Sequence, residues 1–200
     1  MNTLTQLSVV TLTGADERTD IAQLAQLTAD HPYLEIGLLY TTTPEGRNRY
    51  PSLAWLQAAS AALPGRCAIH VCGRGARQQL REGVLADLVS NARRVQVNGV
   101  VQPHEVPDLA RRVPVLITQH NDKNRGLASA RLAANHCVLV DGSGGTGRSP
   151  ERWERPKTDL QVGFAGGLGP DNIGSELAQI HSVAEGSYWI DLEGKLRTAD

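Results

Sequence analysis

The sequence predicts an α/β protein folded as a compact (β/α)8 TIM barrel, a single domain over residues 1–200. Three observations predict it. Eight strand-like apolar runs alternate with helix-like patterns at a mean spacing of about 25 residues, near the compact end for such barrels. The runs are almost continuously hydrophobic, as parallel strands covered on both faces must be. No linker, low-complexity tract or block of like charge interrupts the alternation. An open doubly wound sheet shares the alternation, but eight units favour closure.

The first strand is LSVVTL (7–12), followed by polar TGADERTD and the helical spacing of IAQLAQLTA. LEIGLLY (34–40) comes next, then the loop TTTPEGRNRYP and a helix over 52–62. CAIHVCG follows a Pro-Gly break and leads into one helical pattern, ARQQLREGVLADLVSNA. RRVQVNG precedes PHEVPDLARR, where Pro103 and Pro107 suit a helix start. VPVLITQHN (113–121) precedes a helix expected near 125–134, and HCVLVD ends in a glycine-rich exit. LQVGFAGGLGP carries the seventh strand, with its helix at 171–184, and SYWIDLEGK the eighth. Only nine residues follow Asp191, so the eighth helix is expected to be short or missing. A second subunit covering that flank, and hence a homo-oligomer, is one consequence.

A formal charge of −1 gives no general attraction to nucleic acid or an anionic membrane, and neither is expected as a partner. No apolar run approaches the ~18 residues of a membrane span, and the N-terminus lacks the basic segment of a signal peptide. Three cysteines, none in a C-x-x-C pair, argue against a disulfide framework or zinc site and fit a reducing cytoplasm.

Chemistry in such barrels lies at the C-terminal ends of the strands. Those ends carry Thr13; Tyr40 through Arg49; His70 and Cys72; Gln96 and Asn98; Gln119, His120 and Asn121; Asp141; Gly166 and Gly167; and Asp191. So many hydrogen-bonding groups there predict a small-molecule site. In FAGGLGPDNI, glycines let the backbone approach a ligand, and the next helix begins with unsatisfied N–H donors suited to phosphate. A bare turn capped by Asp171 or Asn172 is the alternative. Asp141, among apolar strand neighbours, suits general acid or base work, and an Asx-turn is its alternative. Arg47 and Arg49 stand on a loop over the mouth, where a guanidinium clamps carboxylate or phosphate. His70 and Cys72 share a strand face, and Cys72 reads either as a thiolate or as a small core residue. No ligand spacing supports a metal among His70, His120, Asp141 and Asp191, so none is expected.

Together, HVCG, VQVNG, VDGSGGTGRS and FAGGLGPDNI resemble phosphoribosylanthranilate isomerase, a (β/α)8 enzyme. The motifs hold their order and approximate spacing from the first strand to the seventh. The resemblance implies a cofactor-free Amadori rearrangement of a phosphorylated sugar. It makes Asp141 the general acid, places phosphate at Gly166 and Gly167 with Gly145 of the preceding loop, and sets Arg49 toward a carboxylate. Asn98, Gln119, Asn121, Thr13 and Asp191 stand as substrate contacts.

Two working parts depart from the pattern. Thr13 precedes Gly14 where the family has its basic cysteine, with Thr11 in place of a lysine. YWIDLEGKLR lacks the family's small-residue phosphate turn and carries Asp191 there. Candidates for a different base are Cys72, His70 and Asp191. Two readings follow: an isomerase-like enzyme on a phosphorylated or anionic small molecule, or a non-catalytic protein that senses or sequesters such a ligand.

Overall fold

The computed structural model describes residues 4–44, 49–141 and 147–196. Eight parallel strands close into a barrel in sequence order: β1 (Gln6–Thr13), β2 (Leu34–Thr41), β3 (Cys67–Cys72), β4 (Arg94–Asn98), β5 (Leu116–His120), β6 (His136–Asp141), β7 (Val162–Ala165) and β8 (Ser187–Leu192). Closure is direct, since β1 pairs with β8 from Gln6↔Ser187 to Leu12↔Leu192. The barrel expected from the alternation is the fold observed.

The helices are α1 (Ile21–Asp30), α2 (Leu53–Ala62), α3 (Arg74–Glu82), α4 (Ala86–Ser90), α5 (Val106–Ala110) and α6 (Ile173–Val183). Asp20 caps α1 by accepting from Ala22 and Gln23 N–H, and Ser52 caps α2 through Trp55 N–H. The single helix read over 76–92 is two. Gly83 takes a left-handed φ of 81° and its N–H bonds back to Gln79 and Leu80, which ends α3.

The helix expected near 125–134 is only a 3-10 stretch, Arg125–Ser129. Asn124 stands at its cap position, but its side chain is spent elsewhere. Its Oδ1 accepts from Val101 N–H at 3.1 Å and its Nδ2 donates to Gly99 carbonyl at 2.8 Å. Gly126 further weakens any helix there. Between β6 and β7, Trp153 supplies the burial a helix would have given. It lies edge-to-face on Phe164, ring centres 6.0 Å apart, and donates from Nε1 to Glu176 at 2.7 Å.

Past β8 the described chain forms a turn and no helix. The outer face of β8 is nevertheless buried by its own chain. Tyr188, Ile190 and Leu192 pack with Phe164, Ile180 and Ala184, and partly buried Leu177 and Leu196 close around them. Among the described residues, the outward side chains of β8 are thus covered from within the chain.

Strand alternation turns Val9, Ile117, Cys137, Leu139 and Trp189 into the barrel interior, where they form one buried cluster. Trp189 fits because Gly163 faces it across β7, where a Cβ would collide with the indole. A buried ion pair shares this space. Arg94 donates to Glu35 from Nε at 3.1 Å and from its terminal nitrogen, and its guanidinium lies 4.8 Å from the Trp189 ring centre. Thr11 completes the network, donating to Glu35 and accepting from Arg94. The N-terminal half of the barrel is thus plugged, and the open space lies at the C-terminal mouth.

Candidate functional site at the barrel mouth

A cavity of about 410 Å³ opens at that mouth. Its walls include Cys72, Asn98, Gln119, Asp141 and Asp191 from the strand ends, and Arg49 and Tyr50 from the β2 loop. Gly166, Gly167 and Lys195 line its β7–β8 side. The register explains why the acids converge. Asp141 pairs with Ala165, and Ala165 with Asp191, so both carboxylates point inward at one level with a single small residue between. Two strand spacings put their Cα atoms about 10 Å apart.

Asp191 is 7% exposed, and Thr13 donates to its Oδ1 at 2.7 Å. Burial pushes its carboxyl up from 3.8 to about 7, against the opposing pull of the Thr13 hydrogen bond and of Arg94. Glu35 and Asp141 add to the rise. The negative charge that the sequence set against phosphate is therefore partly protonated near neutrality. Thr13 holds Asp191 in place, and Gly37 on β2 makes room for Thr13.

His70 lies beneath this pair, buried, with Nε2 3.9 Å from Asp191 Oδ2. Burial drags its pKa down to about 4, so it is neutral, and it lies outside the cavity lining. Cys72 does reach the cavity. Burial pushes its thiol up, although Asn98 donates to its sulfur at 3.3 Å and Tyr50 also stabilises the thiolate. A buried, protonated thiol is a poor base. Of the three bases considered from sequence, Asp191 is the one in the cavity with a pKa near neutrality.

Asn98 is held by Gln96 Nε2 at 2.9 Å. Gln119 donates to Asp141 Oδ2 at 3.4 Å while its Oε1 accepts from Gly99 N–H. Asn121 lies outside the mouth, in an adjoining groove. Arg49 reaches the mouth, but its guanidinium is bridged to Glu193 at 2.8 Å. Gly145 and Arg47 lie outside the described residues.

Gly167 sits at φ 65°, and a Cβ there would run into the backbone of Arg148 and Ser149. This close approach of two chain segments demands glycine with or without a ligand. Asn172 secures the turn, accepting from Gly169 N–H at 2.9 Å and donating to Gly167 carbonyl at 2.9 Å. Lys195, which the sequence reading passed over, covers Gly169 with its side chain and lines the cavity beside Gly166 and Gly167. It has no ion-pair partner among the described residues. Its place four residues past the strand-eight aspartate was the available signal. Among the described residues no cluster of three or more His, Cys, Asp or Glu is placed to hold a metal, and no helix is long and apolar enough to cross a membrane.

No protein-family model and no curated protein sequence matches the chain. Solved structures do. The chain is similar to phosphoribosyl anthranilate isomerase from Thermus thermophilus, at 19% identity and TM-score 0.65, covering 96% of this chain and 90% of that one. The Thermotoga maritima phosphoribosyl anthranilate isomerase aligns at 18% identity and TM-score 0.59, over 92% and 88%. TrpF from Jonesia denitrificans aligns at 16% identity and TM-score 0.59, over 96% and 88%. The chain has the (β/α)8 fold of phosphoribosyl anthranilate isomerase structures, almost end to end.

Proposed function

We propose that the mouth binds a phosphorylated sugar and isomerises it, Asp141 giving a proton to the sugar and Asp191 taking one from it. The observation that carries this reading is the pair itself: two carboxyls in register across β7, facing one cavity, one of them pushed up to about 7. Paired acids in unlike environments are the usual arrangement for acid–base work near neutral pH. Asp141 is the general acid and Asp191 takes the place of the missing cysteine as base. Thr13 positions Asp191, and Asn98 and Gln119 supply hydrogen bonds to sugar hydroxyls. The ligand's phosphate lies against Gly166 and Gly167 under Lys195. The similarity to phosphoribosyl anthranilate isomerase structures supports a sugar phosphate as the ligand class.

One observation favours a second reading, ligand binding without turnover. Thr13 is committed to Asp191 and Arg49 to Glu193, so two residues that the sequence resemblance sets at the site are engaged within the chain. Calorimetry with ribose 5-phosphate tests the site under either reading. Binding is expected for the wild type and for Asp141→Asn, and its loss for Lys195→Glu. Equal affinity in all three proteins removes the phosphate assignment.

A further inference from the structure

A larger space of about 1030 Å³ adjoins the mouth, between the exits of β5 and β6 and the segment 150–157. Gln119 and Asp141 line both cavities, so the two share a wall. Five cationic side chains line the outer groove against three anionic ones, in a chain of net charge −1. Local charge of this sign in a concave site concentrates anions.

The cations are not spent equally. Arg125 is paired with Asp122, and Arg155 is fixed by the carbonyls of Pro156 and Thr158 and by Glu185. Lys123, Arg152 and Lys157 line the groove with no ion-pair partner among the described residues. His120 also lines it, half-buried, and its buried Nδ1 has no partner among the described residues. Burial and the nearby Arg125 hold its pKa below the usual histidine value, leaving a neutral ring with an unused nitrogen. Ala128, Val140 and Trp153 give the groove apolar walls. Three cations in one concave wall, without ion-pair partners among the described residues, describe a place for anionic oxygen.

We propose that this groove is a second anion subsite, taking a phosphate group of the ligand whose sugar lies over Asp141. It rests on the mouth reading for the sugar's position, but not for the anion site itself. The ligand class sharpens accordingly to a sugar carrying two anionic groups, one under Lys195 and one among Lys123, Arg152 and Lys157.

Amide NMR with inorganic phosphate at low salt tests it. Saturating shifts are expected at residues 123–125 and 152–157, and separately at 166–168. In Lys123→Glu/Lys157→Glu, two exposed substitutions, phosphate should bind the groove about tenfold or more weakly while the 166–168 shifts persist. Groove amides that do not move, drift without saturating, or titrate alike in both proteins overturn the proposal. If only 166–168 respond, the mouth reading stands and the subsite falls. If only the groove responds, the subsite stands and the phosphate place under Lys195 falls.

Discussion

Thr13 Oγ1 donates to Asp191 Oδ1 at 2.7 Å across the β1–β8 seam that closes the barrel. The bond favours the ionised carboxylate and opposes the burial that raises its pKa. Thr13→Val removes the donor at little change in volume. The Asp191 carboxyl, followed by 13C NMR, should then titrate higher than in the wild type by roughly one pH unit. An unchanged midpoint would mean that Thr13 does not set the protonation of Asp191.

Stability should depend on pH with opposite signs at two kinds of site. Asp191 has its folded pKa raised from 3.8 to about 7, so the native state holds a proton that the unfolded chain releases. Its contribution is present below pH 4 and is lost as pH rises toward 7. Asp191→Asn should therefore gain on the wild type by on the order of 4 kcal/mol between pH 4 and 8 in denaturant melts. A constant difference across that range contradicts the assignment.

His70 and His136 act the other way. Burial lowers each to about 4, and among the described residues His136 keeps only Thr118, 2.8 Å from its Nε2. Unfolded, both take up protons below 6.5, so their contribution is lost as pH falls from 6.5 toward 4. His136→Gln should flatten the acid limb of the stability curve, and an unaltered limb would show that the ring is not held neutral.

The ion pair inside the barrel should behave as a unit. Arg94→Met leaves Glu35 buried without its cation and is expected to cost about 3–5 kcal/mol. Adding Glu35→Leu to Arg94→Met should recover much of that loss, because the uncompensated charge goes with it. Chemical denaturation of the two variants and the wild type measures both values, and a double variant no more stable than Arg94→Met would refute the coupling.

Gly167→Ala is expected to destabilise the fold by about 2 kcal/mol or more, since it forces a side chain into left-handed backbone and into the backbone of Ser149. Lost anion binding in that variant says nothing about phosphate, and Lys195→Glu is the cleaner probe.

The barrel was legible because eight doubly buried strands leave continuous apolar runs, and turn residues separate them. The helices were less so. Asn124, just before the helix expected near 125–134, bonds to Gly99 and Val101, 23 residues or more away along the chain. Asp141 and the Gly166–Gly167 turn could be placed on the mouth from strand order alone. The state of Asp191 could not, because it depends on burial beside Thr13, Arg94 and Glu35, which three other strands supply. Lys195 was missed for a similar reason: only the folded β8 turn lays it over Gly169. His70 showed the reverse error, since sharing a strand face with Cys72 did not bring it into the cavity.

The most direct test of the carboxylate pair is deuterium uptake at C2 of ribose 5-phosphate in D2O, followed by proton NMR. Exchange is expected with the wild type, falling about 100-fold or more in both Asp141→Asn and Asp191→Asn while calorimetric binding persists. Binding by the wild type with no exchange at C2 would contradict proton transfer by this pair and leave the mouth a site for binding alone.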